Sequence, residues 1–337
     1  MNRAAVLCGL GSHVPPYVLT NEELAGIVDT SDEWIRSRTG IGQRHVAGPA
    51  TATSDLAVEA GGLALKSAAA AGYGDVDAVI VATTTPDRSC PATAPLVASR
   101  LGLGTVPAFD VAAVCTGFLY GLANAAGLIA AGTAERVLVI GAETFTRILD
   151  PADRSGRAIF GDGAGAVVLR AGDRTEPGAL GRFGLGSDGT GSDLITVRTG
   201  GSRMPFSLAR DDADADPYFR MNGKAVFRQA VERMTESSRR VLARSGWPED
   251  LPDLVVAHQA NLRILHAVAD RIGVPRGDCV VNIGRVGNTA AASIPLALGD
   301  AHRDGTLRAG HRVLLTAFGG GLTWGACTLT WPAIHTV

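Results

Sequence analysis

Cysteine is sparse in this chain of 337 residues: Cys8, Cys90, Cys115, Cys279 and Cys327, an odd number without a close pair. That excludes a disulfide framework and a cysteine-based zinc site, and it fits a reducing cytoplasm. No His or Cys spacing suits another metal, and there is no P-loop. Excess charge is lacking too, with 31 Lys and Arg against 33 Asp and Glu and a formal net charge of −2. Nothing in that balance points to nucleic acid or an anionic membrane as the main partner. The opening MNRAAVLCGLGSHVPPYVLT lacks the long apolar core of a signal peptide.

Apolar material is plentiful, 46% hydrophobic against 19% charged, enough for one large domain or two ordinary ones. The stretch from Val111 to Ala134 carries no charge and is long enough to span a bilayer. However, FDVAAVC reads as a buried strand entering TGFLYGLANAAGLIAAG, a helix apolar on nearly all sides with Asn124 in its middle. Without a second such run or a basic flank, the expectation is a helix at the centre of a globular molecule.

Short apolar strands alternate with helical stretches, the pattern of an α/β protein with buried sheets. VDAVIVATT resembles PDLVVAHQA, and RVLVIGAE resembles HRVLLTAFGG; aligning Val79 with Val255 and Val137 with Val313 gives one offset, 176. A shared offset suggests duplication, with halves at residues 1–175 and 176–337. The region between Leu169 and Lys224 is rich in turn residues, and its acidic run RDDADADP reads as a solvated loop. A helix follows from Gly223, with stop signals at Gly246 and Pro248. GDGAG is a tight turn rather than a dinucleotide fingerprint, because the strand AVVLR follows it where that motif needs a helix.

Cys115 stands between a strand and the central helix, where N-terminal amides favour a thiolate. An inert buried cysteine is the competing reading. His258 follows the strand DLVVA and opens HQANLRILHAVADRIG; alone it reads as a structural histidine. The offset changes that, because it sets Asn288 opposite the strand that delivers Cys115 and His258 opposite Ala82. All three then lie at strand ends near the junction of the halves, where sites of open sheets gather. A cysteine with imidazole and amide partners suits covalent acyl chemistry.

FDVAAVCTGF, DRSGRAIFGDGAGAVVL, AHQANLRI, GNTAAASIPLAL and LLTAFGGGLTWG, with GLGSHVPPYVLTNEEL and DTSDEWIRSRTGI, together resemble the β-ketoacyl-(acyl-carrier-protein) synthase III family of the thiolase superfamily. The resemblance spans nearly the whole chain in order. It implies a thiolase-like fold of two halves in five αβαβα layers and a homodimer. It also implies a Cys115, His258 and Asn288 triad, acyl-CoA as substrate without a further cofactor, and malonyl-acyl carrier protein as second substrate. Cys115 and Gly320 would supply oxyanion-hole amides, and Phe318 would pack near the nucleophile. Trp34 and Arg154 would sandwich the CoA adenine, with Arg38 and Arg263 near its phosphates. Lys224 and Arg228, four apart on one helical face, would receive an acidic carrier protein.

Family members often place a bulky aromatic at the position of Cys90, closing the partner's acyl pocket. The smaller Cys90 leaves room for longer or branched acyl groups, provided that neighbours do not fill it. The segment Leu194 to Pro217 looks expanded. An acyltransferase of the same fold that forms no carbon–carbon bond, and a non-catalytic partner subunit, are the alternatives.

Overall fold

The computed structural model describes residues 3–207, 214–247 and 251–335. Pro248 and part of the acidic run, residues 210–213, lie outside them. The first part of the chain holds strands β1 (Arg3–His13), β2 (Val18–Thr20), β3 (Gln43–His45), β4 (Ala78–Ala82), β5 (Ala108–Val111), β6 (Arg136–Glu143) and β7 (Gly163–Asp173). Helices α1 (Asn21–Ala25), α2 (Asp32–Thr39), α3 (Thr53–Ala70), α4 (Ala94–Arg100), α5 (Gly117–Ala130) and α6 (Arg154–Ile159) connect them. The remainder holds β8 (Gly186–Ser187), β9 (Ile195–Val197), β10 (Phe219–Met221), β11 (Leu254–Ala257), β12 (Arg312–Gly319) and β13 (Thr323–Thr330). Its helices are α7 (Gly223–Leu242), α8 (Leu262–Ile272), α9 (Ile283–Val286) and α10 (Ser293–Arg303).

One sheet has the order β1-β7-β6-β4-β5, the other β8-β13-β12-β11. Both are mixed: β4 runs parallel to β5 and β6, and β11 to β12, whereas β7 and β13 are antiparallel to their neighbours. The shift of 176 carries the first residue of β4 onto that of β11, of β6 onto that of β12, and of α5 onto that of α10. Helices α5 and α10 lie between the sheets, α3 and α4 cover the outside of the first, and α7 and α8 the outside of the second. This is the five-layer order that the resemblance implies.

Helix α5 follows from its sequence. Phe118, Leu119, Leu122, Ala125 and Ile129 recur at helical spacing and are buried between the sheets. Each large side chain contributes roughly 1.5–3 kcal/mol by leaving water. The helix is not buried all round: Asn124, Gly127 and Ala130 form an exposed face, and Asn124 bonds back to the Tyr120 carbonyl at 2.8 Å. Small residues on that face made the whole run look like core.

The turn GDGAG leads into β7, an interior strand between β1 and β6. Asp162 is buried there and accepts from the backbone of Ala47 (2.8 Å) and Thr146 (2.9 Å) and from the Thr146 hydroxyl (2.7 Å). His258 does not begin a helix; α8 starts at Leu262, capped by the Asn261 side chain on Arg263 N at 2.8 Å.

Candidate active site

Cys115, His258, Asn288 and Phe318 line one cavity of about 40 Å3, to which the partly exposed Met221 also contributes. Its inner wall consists of three aromatic rings. Phe145 stacks on Phe160 with centroids 4.3 Å apart, and Phe219 meets them edge-on at 5.0 and 5.1 Å.

Cys115 arrives by a sharp turn after β5. Val114 has φ 47°, a left-handed conformation that a β-branched side chain resists. Such a residue stores on the order of 1–3 kcal/mol, which the surrounding packing must hold. The expectation that the helix end favours a thiolate is overturned. Burial pushes the Cys115 thiol above its ordinary range, and the Glu143 carboxylate raises it further. The resting residue is a thiol and needs a base.

His258 is buried, and its backbone N–H donates to the Thr316 carbonyl on β12 at 2.8 Å. Burial pushes its pKa down to about 3, so the imidazole is neutral near pH 7. Nδ1 lies 2.7 Å from the Ser293 hydroxyl, which leaves Nε2 for the cavity.

Asn288 is fixed through its backbone to the first half: its N–H donates to the Ile159 carbonyl (2.9 Å) and its carbonyl accepts from Gly161 (3.0 Å). Its side-chain Oδ1 accepts from Ala290 N at 2.9 Å. With that oxygen engaged, the Nδ2 hydrogens are the groups left to donate. No hydrogen bond joins the side chains of Cys115, His258 and Asn288 directly among the described residues.

The glycine run closes on Cys115. A Cβ on Gly319 would lie 2.9 Å from Cys115 N, and one on Gly320 would lie 3.2 Å from the Val114 side chain. Only glycine permits that approach. The Thr323 hydroxyl tethers the run by donating to the Gly320 carbonyl at 3.0 Å and by a bond to Thr116.

Outside the cavity lining, α2 and α8 meet, joined by Asn261 Nδ2 donating to the Arg38 carbonyl at 2.9 Å. The guanidinium carbons of Arg38 and Arg154 stand 5.0 and 4.9 Å from the Trp34 ring centroid. Arg154 also donates to the Asp29 carbonyl at 3.1 Å. Arg263 lies 5.9 Å from the Phe227 ring. Lys224 and Arg228 are exposed on α7 and form no ion pair among the described residues. Cys90 is exposed, and it does not line the cavity of its own chain.

Sequence reasoning missed five participants. Phe145, Phe160 and Phe219 together form the aromatic wall of the cavity. Ser293 stands behind His258. Glu143 is wholly buried; it accepts from Thr84 N at 3.0 Å and from the Thr85 hydroxyl at 2.8 Å, and its pKa is pushed up to about 7 by burial. A lone carboxylate ending the apolar strand RVLVIGAE was the available signal for it.

The two mixed sheets around paired central helices define a thiolase fold. Two family models, 3-oxoacyl-[acyl-carrier-protein] synthase III and its C-terminal counterpart, match residues 109–189 and 242–331. The chain is 66% identical over 337 residues to β-ketoacyl-[acyl-carrier-protein] synthase III 3 of Streptomyces coelicolor, covering 100% of both. The crystal structure of 3-oxoacyl-(acyl carrier protein) synthase III from Pseudomonas aeruginosa PAO1 superposes with a TM-score of 0.90 at 55% identity, covering 98% of this chain and 99% of that one. The priming β-ketosynthase of the R1128 polyketide pathway gives 0.89 at 33% identity, covering 98% and 97%. This chain belongs to the β-ketoacyl-[acyl-carrier-protein] synthase III family.

Proposed function

We propose that this chain is a decarboxylative condensing enzyme that joins an acyl group from acyl-CoA to malonyl-acyl carrier protein, starting a fatty-acid or polyketide chain. The observation that carries the reading is the convergence of a buried thiol, a neutral imidazole and an oriented carboxamide on one cavity. Cys115 Sγ attacks the thioester carbonyl of acyl-CoA as its proton passes to His258 Nε2. The carbon–sulfur bond to CoA breaks, and CoA leaves as a thiol with that proton. The amides of Cys115 and Gly320 hold the oxyanion of the intermediate.

Malonyl-acyl carrier protein then enters. Its bond to the carboxylate breaks, carbon dioxide departs, and the electron pair forms an enolate. His258 Nε2–H and the Asn288 Nδ2 hydrogens donate to the enolate oxygen. The enolate carbon attacks acyl-Cys115, a carbon–carbon bond forms, and the sulfur leaves as a thiolate that takes a proton from water. Asn288 favours this chemistry over simple acyl transfer, which has no enolate to hold.

Trp34, Arg154, Arg38 and Arg263 are the residues for the CoA nucleotide, planar cations suiting both an adenine face and phosphates. Lys224 and Arg228 would meet the acidic carrier protein. Residues 1–175 and 176–337 form the two halves of a protomer that works as a homodimer in the cytoplasm. The exposed Leu96 on α4 and the edge position of β5 support a second copy on that flank. Cys90 would reach the partner's cavity from there. No helix among the described residues is long and apolar enough to cross a membrane.

Intact-mass analysis after mixing with acyl-CoAs, followed by carbon dioxide release from malonyl-acyl carrier protein, tests the proposal. Acylation confined to Cys115 and release of one carbon dioxide per condensation are expected. Acylation without carbon dioxide release would leave only the acyltransferase reading.

A further inference from the structure

We propose that Ser293 is a positioning residue that holds His258 for both halves of the reaction, because its hydroxyl can meet either tautomer of the imidazole. The inference rests on the function proposed above. Ser293 is buried at the first position of α10, and its Oγ lies 2.7 Å from His258 Nδ1. The same oxygen accepts the Gln259 N–H at 2.9 Å. One lone pair and one hydrogen remain on that hydroxyl for the imidazole. When Nδ1 carries the proton, it donates to the remaining lone pair and Nε2 is free to accept. When Nε2 carries the proton, the hydroxyl donates to Nδ1 instead. A backbone carbonyl in this place would fix the first tautomer, and a backbone N–H would fix the second.

Acyl transfer requires the first form, in which Nε2 takes the Cys115 proton. Condensation requires the second, in which Nε2–H donates to the enolate oxygen. Exchange between them removes one proton from Nδ1 and delivers one to Nε2, with no change in charge. The exchange needs a proton carrier, a role we assign to water admitted when CoA departs.

The platform beneath is rigid. Gln259 donates to the Ala257 and Val280 carbonyls at 2.9 and 3.0 Å, and its Oε1 accepts from Asn282 and Ile283 at 3.0 and 3.2 Å. The Ser293 contact thus sets where the ring points, and misplacing a reacting group by about 1 Å costs on the order of a hundredfold in rate.

The test measures Cys115 acylation by rapid-quench intact mass and carbon dioxide release separately, in the unaltered enzyme and in Ser293→Ala and Ser293→Thr. Ser293→Ala is expected to slow both steps about 10–100-fold, with KM for acyl-CoA within about twofold. Ser293→Thr, which keeps the hydroxyl, is expected to recover both to within a few fold. Ser293→Asp keeps only an acceptor, so it should slow carbon dioxide release more than acylation. Ser293→Ala rates within twofold of the unaltered enzyme would overturn the inference. So would a loss that Thr does not restore in a variant of unchanged melting temperature. Absence of acylation in the unaltered enzyme would instead sink the functional proposal itself.

Discussion

The aromatic wall makes acyl-chain length the sharpest quantity to predict. The cavity beside Cys115 is about 40 Å3, and a single water needs about 10–15 Å3 of the same measure. That is room for two or three heavy atoms beyond the thioester carbonyl, the tail of a propionyl or butyryl group. Every further methylene must displace Phe145, Phe160 or Phe219, which already stack and brace one another. Overpacking a filled site costs about 1–3 kcal/mol, roughly tenfold or more in kcat/KM for each step beyond the fit. Acetyl-CoA should therefore exceed hexanoyl-CoA by at least about a hundredfold. Phe219→Leu removes the ring that meets both others edge-on, and should move the optimum one or two carbons upward with acetyl turnover within a few fold. Competition between acyl-CoAs, read as kcat/KM and as the mass of the acyl-enzyme, decides it. Equal turnover of octanoyl- and acetyl-CoA by the unaltered enzyme would refute the reasoning and restore Cys90 as the residue that opens the pocket.

Trp34→Ala removes the ring that two guanidiniums share. At about 0.5–1 kcal/mol per contact, KM for acyl-CoA should rise up to tenfold while kcat stays within twofold. Urea denaturation across pH separates two buried groups. His258, depressed from 6.5 to about 3, leaves the unfolded chain holding the extra proton, so its contribution to stability grows as pH rises between those values. Glu143, raised from 4.5 to about 7, has the opposite sign, and stability falls as pH rises between those values. The slopes cancel between about 4.5 and 6.5. Glu143→Gln should unmask a continued rise there, gaining about 3 kcal/mol on the unaltered protein by pH 7. Parallel curves would show that Glu143 titrates alike in the folded and unfolded chain.

Strands and the central helix were legible because burial imposes a pattern on nearby residues: the apolar run of β6 and the spacing of Phe118, Leu122 and Ile129 in α5. The juxtaposition of Cys115, His258 and Asn288 was legible through the repeat, which converts distance in sequence into proximity. Phe145, Phe160 and Phe219 carry no such mark. They come from three separate segments and meet only because β10 folds over the site. The ionisation of Cys115 was misread for a different reason: a helix end is a local feature, whereas desolvation depends on everything packed around the sulfur.

The repeat also explains why there is one site and not two. A shift of 176 carries Val114 onto Ala290, and these are the non-glycine residues with positive φ among those described, 47° and 44°. It carries Cys115 onto Ala291 and Glu143 onto Gly319. The two turns pack together at the junction. In the second half the Glu143 carboxylate stands 3.5 Å from Ala291 N, the amide equivalent to that of the nucleophile. In the first half the equivalent position is Gly319, where even a Cβ would come within 2.9 Å of Cys115 N. A side chain thus occupies one pocket and glycine leaves the other open. Gly319→Ala should place a methyl group against the amide meant for the oxyanion and lower the rate of Cys115 acylation on the order of a hundredfold, the loss seen when one such donor is removed. Gly319 is not at positive φ, so the variant keeps an allowed backbone, and its melting temperature provides the control. Unchanged acylation in a folded Gly319→Ala protein would show that the amide of Cys115 does not bind the oxyanion, and that the asymmetry between Glu143 and Gly319 has another cause.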